Sequence, residues 1–208
     1  MELKDFYNTT TKRETIITNI NAFIDYYNIN KIYLDVDGVL IHSCQAICDI
    51  INENKGTNFT GEQILSWNFK EICPNLTDTD IEFLFDDNRF FKYVQWIKGA
   101  KEFINRHENN ITIVTKGTKQ NILKKYNFFN FHNLNVVIKG LPLDKSKSEI
   151  DMSNGLFIDD CTKNLIESNA KYKIQFCEYN DNLNDQREWI KDFVVINYIN
   201  GLDFCYRV

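Results

Sequence analysis

The sequence predicts a three-layer α/β fold: a doubly wound parallel sheet with a small helical unit inserted after its first strand. Three observations predict it. Short apolar runs alternate with helix-period segments along most of the 208 residues. Two of those runs end in paired acids, Asp35 with Asp37 and Asp159 with Asp160. The stretch between the first two runs is too long for one crossover and has a helical pattern of its own.

The elements follow in order. Residues 14–27 place Ile16, Ile17, Ile20, Phe23, Ile24 and Tyr27 at helical spacing, which predicts a first helix. Residues 32–36 form a continuous apolar run, as expected of a strand buried on both faces. Further strands are predicted at 111–115, 135–138, 155–159, 174–177 and 193–197. Helices are predicted at 99–106, 119–126, 162–169 and 185–191. Between strands one and two lie ICDIINENKG, GEQILSWNF and DTDIEFLFDD, which predict a helical cap over residues 45–95. The α/β core then comprises 1–44 and 96–208. With only two prolines there is no rigid linker, so the cap is expected to sit close against the core.

The bulk numbers exclude several function classes. The net charge is −5, from 24 Lys and Arg against 29 Asp and Glu, which argues against a general nucleic-acid binder. Lys124 and Lys125 read as a solvated helix face. Residues 1–13 are polar, with no signal-peptide pattern, and no apolar run reaches the ~18 residues of a membrane helix. The expected location is therefore the cytoplasm, with no membrane partner. Six cysteines (44, 48, 73, 161, 177 and 205) form no C-x-x-C pair, and the three histidines offer little zinc chemistry. They read as free, mostly buried thiols in a reducing compartment.

In open α/β sheets, ligands bind outside the carboxyl ends of the strands. Strand one ends in Asp35-Val36-Asp37-Gly38, strand two in Thr115-Lys116-Gly117-Thr118, and the 155–159 strand in Asp159-Asp160. The segment LDKSKSEI supplies Lys145 and Lys147 just upstream of that last pair. Side by side, these strands bring together four carboxylates, a hydroxyl and an ammonium. Clustered carboxylates repel one another, so an oxygen-preferring cation such as Mg²⁺ is expected among them. Taken singly, each piece has an ordinary alternative: Asp35 and Asp37 as a turn, Thr115 as a strand residue, Asp159-Asp160 as a helix cap. The stretch from Gly140 to Ser146 resembles a P-loop, but Asp144 stands where a glycine is required before Lys145.

As an ordered set, Asp35-Val36-Asp37-Gly38-Val39, Thr115, Lys145 or Lys147, and Asp159-Asp160 resemble the four motifs of the haloacid dehalogenase (HAD) phosphatase superfamily. The resemblance implies that Asp35 attacks phosphorus and forms an aspartyl-phosphate. Asp37 would protonate the leaving alcohol and then activate water. Thr115 would bind a phosphoryl oxygen, and the lysine would neutralise charge on the nucleophile and phosphate. Mg²⁺ would be held by Asp35, the backbone carbonyl of Asp37 and Asp159, with Asp160 supporting its waters. Between the two lysines, Lys147 is favoured because it lies 12 residues before Asp159.

Within the superfamily, DVDGVL, the pair Phe90-Phe91 before Gly99-Ala100, TKGT and CEYN at 177–180 resemble the 5′(3′)-deoxyribonucleotidase branch. That branch stacks a nucleobase on cap aromatics. Trp67 and Phe91 are the candidates chosen here from Trp67, Phe69, Phe90, Phe91 and Trp96. Lys116 and Gly117 of TKGT depart from the branch's usual serine-proline pattern and are expected on the phosphate side. The expected partner is a small phosphate ester, and the expected activity is that of a Mg²⁺-dependent 5′-nucleotidase. The rivals are a phosphatase of sugar or polyol phosphates, an enzyme acting on phosphate at a nucleic-acid end, and a non-catalytic phosphate-binding module.

Overall fold

A computed structural model describes residues 7–11, 14–17, 20–64, 67–176, 179–180, 185–186 and 193–196. Its strands are β1 (Tyr7–Thr11), β2 (Glu14–Ile17), β3 (Ile32–Leu34), β4 (Ile111–Lys116), β5 (Val137–Leu141), β6 (Leu156–Asp159), β7 (Tyr172–Gln175), β8 (Tyr179–Asn180), β9 (Asp185–Gln186) and β10 (Phe193–Ile196). Its helices are α1 (Ile20–Tyr26), α2 (Ser43–Lys55), α3 (Asp78–Asp86), α4 (Phe90–Tyr93), α5 (Ala100–His107), α6 (Lys119–Phe131) and α7 (Thr162–Glu167).

Five strands pair in parallel in the order β7-β6-β3-β4-β5, with β3 at the centre. Chain order reverses at β3, which is where a doubly wound sheet opens its binding crevice. Three further strands extend the sheet beyond β7: β10 antiparallel to β7, then β2 and β1.

Alternation along the central strands divides the interior in two. Leu34, Ile113 and Ile158 point into one apolar cluster, with side chains from α1, α2, α5 and α6. Their chain neighbours Tyr33, Val114 and Phe157 point into a second, with Leu165 of α7. Helices therefore cover both faces, as the unbroken apolar strands require. The segment between β3 and β4 shares the first cluster: Ile47, Ile50, Phe69, Leu84 and Phe90 pack in it beside Ile32 and Leu34. Within that segment, α3 is started by Thr77, whose hydroxyl accepts from Asp80 N while the Asp80 carboxylate accepts from Thr77 N at 2.8 Å. Helix α2 ends on Gly56 at φ 64°.

Three expectations are corrected. The helix predicted over 14–27 begins only at Ile20, and Glu14–Ile17 is a strand. The β-branched run Thr15-Ile16-Ile17 satisfies its backbone on β10 and β1, and this pairing overrides the helical spacing. The helix predicted at 185–191 is a strand at Asp185–Gln186, paired with Tyr179–Asn180; 187–191 lies outside the described residues. The strand predicted at 135–138 is displaced to Val137–Leu141. Cys44, Cys48 and Cys73 are buried and Cys161 is half-buried, all as free thiols; Cys177 and Cys205 lie outside the described residues. Among the described residues no helix is long and apolar enough to cross a membrane.

Candidate active site

The carboxyl ends of β3, β4 and β6 meet as the sequence predicts. Asp35 continues the β3 ladder, its N–H donating to the Ile158 carbonyl at 3.0 Å. Val36, between the two acids, is fully buried. The chain then turns tightly, with Leu40 N donating to Val36 O at 2.9 Å and Gly38 N to Ile41 O at 3.1 Å. Gly38 sits at φ +68°, and a Cβ there would lie 2.8 Å from both Asp160 Oδ2 and Trp67 Cζ2. Glycine is needed both for the backbone angle and for the close approach of these side chains.

Lys147 is the centre of the charge cluster. It lies on a single 3₁₀ turn, Lys147–Glu149, and is 2% exposed. Its Nζ donates to Asp159 Oδ2 at 2.6 Å and sits 2.8 Å from Asp35 Oδ1. Lys145 points away, half-exposed, towards Glu149 at 3.3 Å. The structure thus brings Lys147 into the cluster and leaves Lys145 outside it.

Asp159 is fully buried and surrounded by donors. Its Oδ1 accepts from Cys161 N at 2.8 Å, and Asn164 Nδ2 donates to both oxygens at 3.1 Å. Asp160 accepts from Trp67 Nε1 at 2.5 Å. Asp37 turns its carboxylate away from these acids. Its Oδ1 accepts from Ser43 Oγ at 2.7 Å and its Oδ2 is paired with Lys125 Nζ. Thr115, buried at the end of β4, accepts from the same Lys125 Nζ at 2.7 Å. Gly117 N donates to Leu141 O at 3.0 Å, and Thr118 caps α6.

A cavity of about 110 Å³ opens beside Asp37, lined by Glu82, Phe85, Lys116, Gly117 and Asn121 among others. Trp67 stacks on Phe85 with ring centres 6.2 Å apart and reaches Asp160 with its indole N–H. Phe91 is not there: it packs on Phe90 and Phe128 within the apolar seam.

Sequence reasoning missed two residues. Lys125 is fully buried, contrary to its reading as a solvated helix face, and its neighbour Lys124 donates to the Asp86 carbonyl. The signal was available. The buried residues of α6 are Asn121, Lys125, Phe128 and Phe129, so the lysine stands in the apolar stripe at i+4 and i−3 spacing. Phe85 closes the stripe of Ile81, Leu84 and Phe85 on α3 and lines the cavity where Phe91 had been expected.

The electrostatics follow from burial. Desolvation, reinforced by Asp159 and Asp37, pushes Asp35 up to about 6, although Lys147 and Lys125 pull it down. Burial and the neighbouring Asp159 and Asp35 hold Asp160 well above the usual carboxylate range. Burial alone would depress Lys147, but Asp159 and Asp35 outweigh it and hold its ammonium above the ordinary lysine value.

These residues suit a divalent cation. Oxygens of Asp35, Asp159 and Asp160 lie within 4.8 Å of one another. Asp35 Oδ1 is buried, with nothing on it among the described residues beyond the charge contact of Lys147 Nζ at 2.8 Å. Repelling carboxylates with an open oxygen are the donor set a hard cation prefers. The Asp37 carboxylate is not among them.

A doubly wound sheet with acids, a buried lysine and a threonine at its central strand ends defines a phosphatase of the HAD type. The family model described as "5′ nucleotidase, deoxy (Pyrimidine), cytosolic type C protein" matches residues 28–192, and the chain belongs to this family. No curated protein matches the chain. Among solved structures, a HAD family hydrolase from Deinococcus radiodurans R1 with bound phosphate and sodium is 14% identical. It aligns over 64% of this chain and 73% of its own, at TM-score 0.44. A haloacid dehalogenase-like hydrolase from Streptococcus pneumoniae is 11% identical over 68% and 80%, at TM-score 0.45. CbbY from Rhodobacter sphaeroides, in complex with phosphate, is 14% identical over 66% and 80%, at TM-score 0.40.

Proposed function

We infer that the chain is a Mg²⁺-dependent 5′-nucleotidase that hydrolyses (deoxy)nucleoside monophosphates through an aspartyl-phosphate on Asp35. The observation that carries this reading is the buried Lys147 between Asp35 and Asp159, with Asp37 two residues on and held separately. An ion pair kept merely for stability would not need a second acid aimed away from it.

In this reading Asp35 supplies a carboxylate oxygen that bonds to phosphorus as the ester P–O bond breaks. Asp37, whose oxygens both accept here, from Lys125 and Ser43, first takes up a proton from solvent, gives it to the departing alkoxide, and then takes one from the water that attacks the aspartyl-phosphate. Inorganic phosphate leaves and the Asp35 carboxylate is restored. Thr115 and the Gly117 turn hold phosphoryl oxygens, and Lys147 balances charge on Asp35 and the phosphoryl group. Asp35, Asp159 and Asp160 would hold the cation, and Asp159, which also accepts from Lys147, Asn164 and the Cys161 N–H, anchors Lys147 as well. Bound there, Mg²⁺ supplies positive charge to the phosphoryl oxygens.

The segment 45–95 acts as the cap that closes over the leaving group, with Phe85 and Trp67 as its aromatic contacts. The pyrimidine deoxynucleotide in the family's description supports a nucleoside leaving group. One observation favours a second reading, a smaller sugar or polyol phosphate: the cavity beside Asp37 is only about 110 Å³ and is bordered by Glu82 and Lys116.

The test is phosphate release from a panel of nucleoside monophosphates and sugar phosphates, with Mg²⁺ and with EDTA. Metal-dependent release from pyrimidine deoxynucleotides is expected. Release from sugar phosphates alone would replace the substrate class, and no release from any ester would overturn the enzymatic reading.

A further inference from the structure

Lys125 has no place in the motif set that the sequence shares with the superfamily, yet it is among the most deeply buried side chains of the molecule. Its residue exposure is 0%, and its side chain lies in the stripe of α6 that also holds Phe128 and Phe129. A lysine ammonium is rarely sealed in an apolar seam unless it meets compensating acceptors. Here it meets three oxygens: Asp37 Oδ2, Thr115 Oγ1 at 2.7 Å and the Lys116 carbonyl at 3.2 Å. An ammonium has three protons to donate, so all three are used.

The geometry points to Lys125 as a positioning residue that aims Asp37 and Thr115 together, a role that rests on the proton-transfer reading of Asp37 given above. Two constraints follow from one nitrogen. Asp37 Oδ2 is held by Lys125 and Oδ1 by Ser43 Oγ, so the carboxylate cannot rotate freely at the edge of the cavity. Thr115 Oγ1 accepts from Lys125, so its own hydroxyl proton must point elsewhere, leaving it as a donor for a phosphoryl oxygen. The proton donor and the phosphate contact are thereby set at a fixed separation by a side chain from a third element, α6. Lys125 moves no proton and makes no covalent bond in this scheme.

The role can be separated from simple structural support by leaving-group chemistry. The alkoxide released from a nucleoside monophosphate needs a proton as the P–O bond breaks. The p-nitrophenolate released from p-nitrophenyl phosphate does not. Because kcat/KM reports steps up to departure of the leaving group, it reads the aim of Asp37 on the first ester and not on the second. The experiment compares wild type, Lys125→Met and Lys125→Gln on thymidine 5′-monophosphate and p-nitrophenyl phosphate in Mg²⁺. Thermal unfolding of each protein serves as the check on folding. Lys125→Met removes the ammonium while keeping an apolar stem. Lys125→Gln keeps a neutral donor and supplies the measurement if the methionine variant does not fold.

The expected result is a fall in kcat/KM on the order of 10²-fold for the nucleotide. The fall for p-nitrophenyl phosphate should be smaller by about tenfold, because only the Thr115 contribution is lost there. Equal losses on both esters, or wild-type rates on the nucleotide, overturn the positioning role while leaving the phosphatase reading intact. Hydrolysis of neither ester by the wild type overturns both.

Discussion

Two charge networks lie at opposite ends of α2, one reached through Ser43 and the other through Glu53, and they are held in opposite electrostatic states. On the outer side, Arg89 donates to both oxygens of Asp87 and to Glu53, which also accepts from Tyr93. Each acid there is satisfied: hydrogen bonds from Arg89 hold Asp87 down at about 2. At the strand ends, Asp35 is pushed up to about 6 and Asp160 well above its usual range, despite a lysine in direct contact with Asp35. Exposure explains part of the contrast, since water screens the outer network and not the inner one. The pairing of charges explains the rest. Asp35, Asp159 and Asp160 share a single lysine among them, and the second buried lysine is committed to Asp37. The outer network also has more acid than base, one arginine for Asp87 and Glu53, but every acid in it accepts a hydrogen bond from that arginine. The inner one is kept ready for positive charge that arrives from outside.

The contrast can be broken most sharply by removing the acid at its centre. Asp35→Asn is expected to reduce phosphate release by about 10³-fold or more while the chain stays folded, read by turnover and by thermal unfolding. Asp87→Asn in the outer network should leave kcat/KM within about twofold of wild type.

A smaller effect tests the charge of the inner network directly. Mg²⁺ at a hundred times its dissociation constant should raise unfolding stability by about 2.7 kcal/mol, as any ligand of the folded state does. Asp160→Asn should abolish most of that gain. An equal gain in Asp160→Asn would remove Asp160 from the cation site.

Gly38→Ala probes how tightly the site is built. A Cβ at φ +68° costs about 1–2 kcal/mol and also runs into Trp67 and Asp160. Loss of turnover should exceed what the stability change alone produces, because Asp160 is displaced.

The contrast can also be read in pH dependence, where the two networks should have opposite slopes. Asp87 has a folded value near 2, below its unfolded 3.8, so its contribution is present above pH 3.8 and is lost as pH falls towards 2. Asp35 has a folded value near 6, above 3.8, so in EDTA its ionisation costs stability as pH rises from 3.8 to 6. Stability curves of Asp87→Asn and Asp35→Asn, each subtracted from wild type, should therefore tilt in opposite directions. Parallel curves would erase the distinction between the networks.

Much of the inner network was legible in the sequence because its residues end strands. A continuous apolar run predicts a buried strand, and polar residues that interrupt it must sit at its exposed carboxyl end. This is how Asp35, Asp37, Thr115, Asp159 and Asp160 are brought together. Lys147 was harder to choose, since Lys145 lies in the turn just before the 3₁₀ turn that Lys147 begins, and only the backbone between them decides which one faces the acids. Lys125 and Phe85 come from helices, where the side-chain direction depends on which face the helix buries. The doublet Lys124-Lys125 looks like a surface, although one of its lysines reaches the acid cluster and the other a backbone carbonyl. The strand at Glu14–Ile17 was concealed for a different reason: its apolar residues also fit helical spacing, and of its two partners one, Phe193–Ile196, is too distant for a local pattern to report.

The central claim is that Asp35 becomes covalently phosphorylated during turnover. The most direct measurement is borohydride trapping of the enzyme mixed with thymidine 5′-monophosphate and Mg²⁺, followed by peptide mass spectrometry. Reduction of an aspartyl-phosphate leaves homoserine, and the account predicts it at position 35 alone, dependent on substrate and absent in EDTA. Active enzyme that yields no homoserine at position 35, or yields it at another aspartate, would contradict the account.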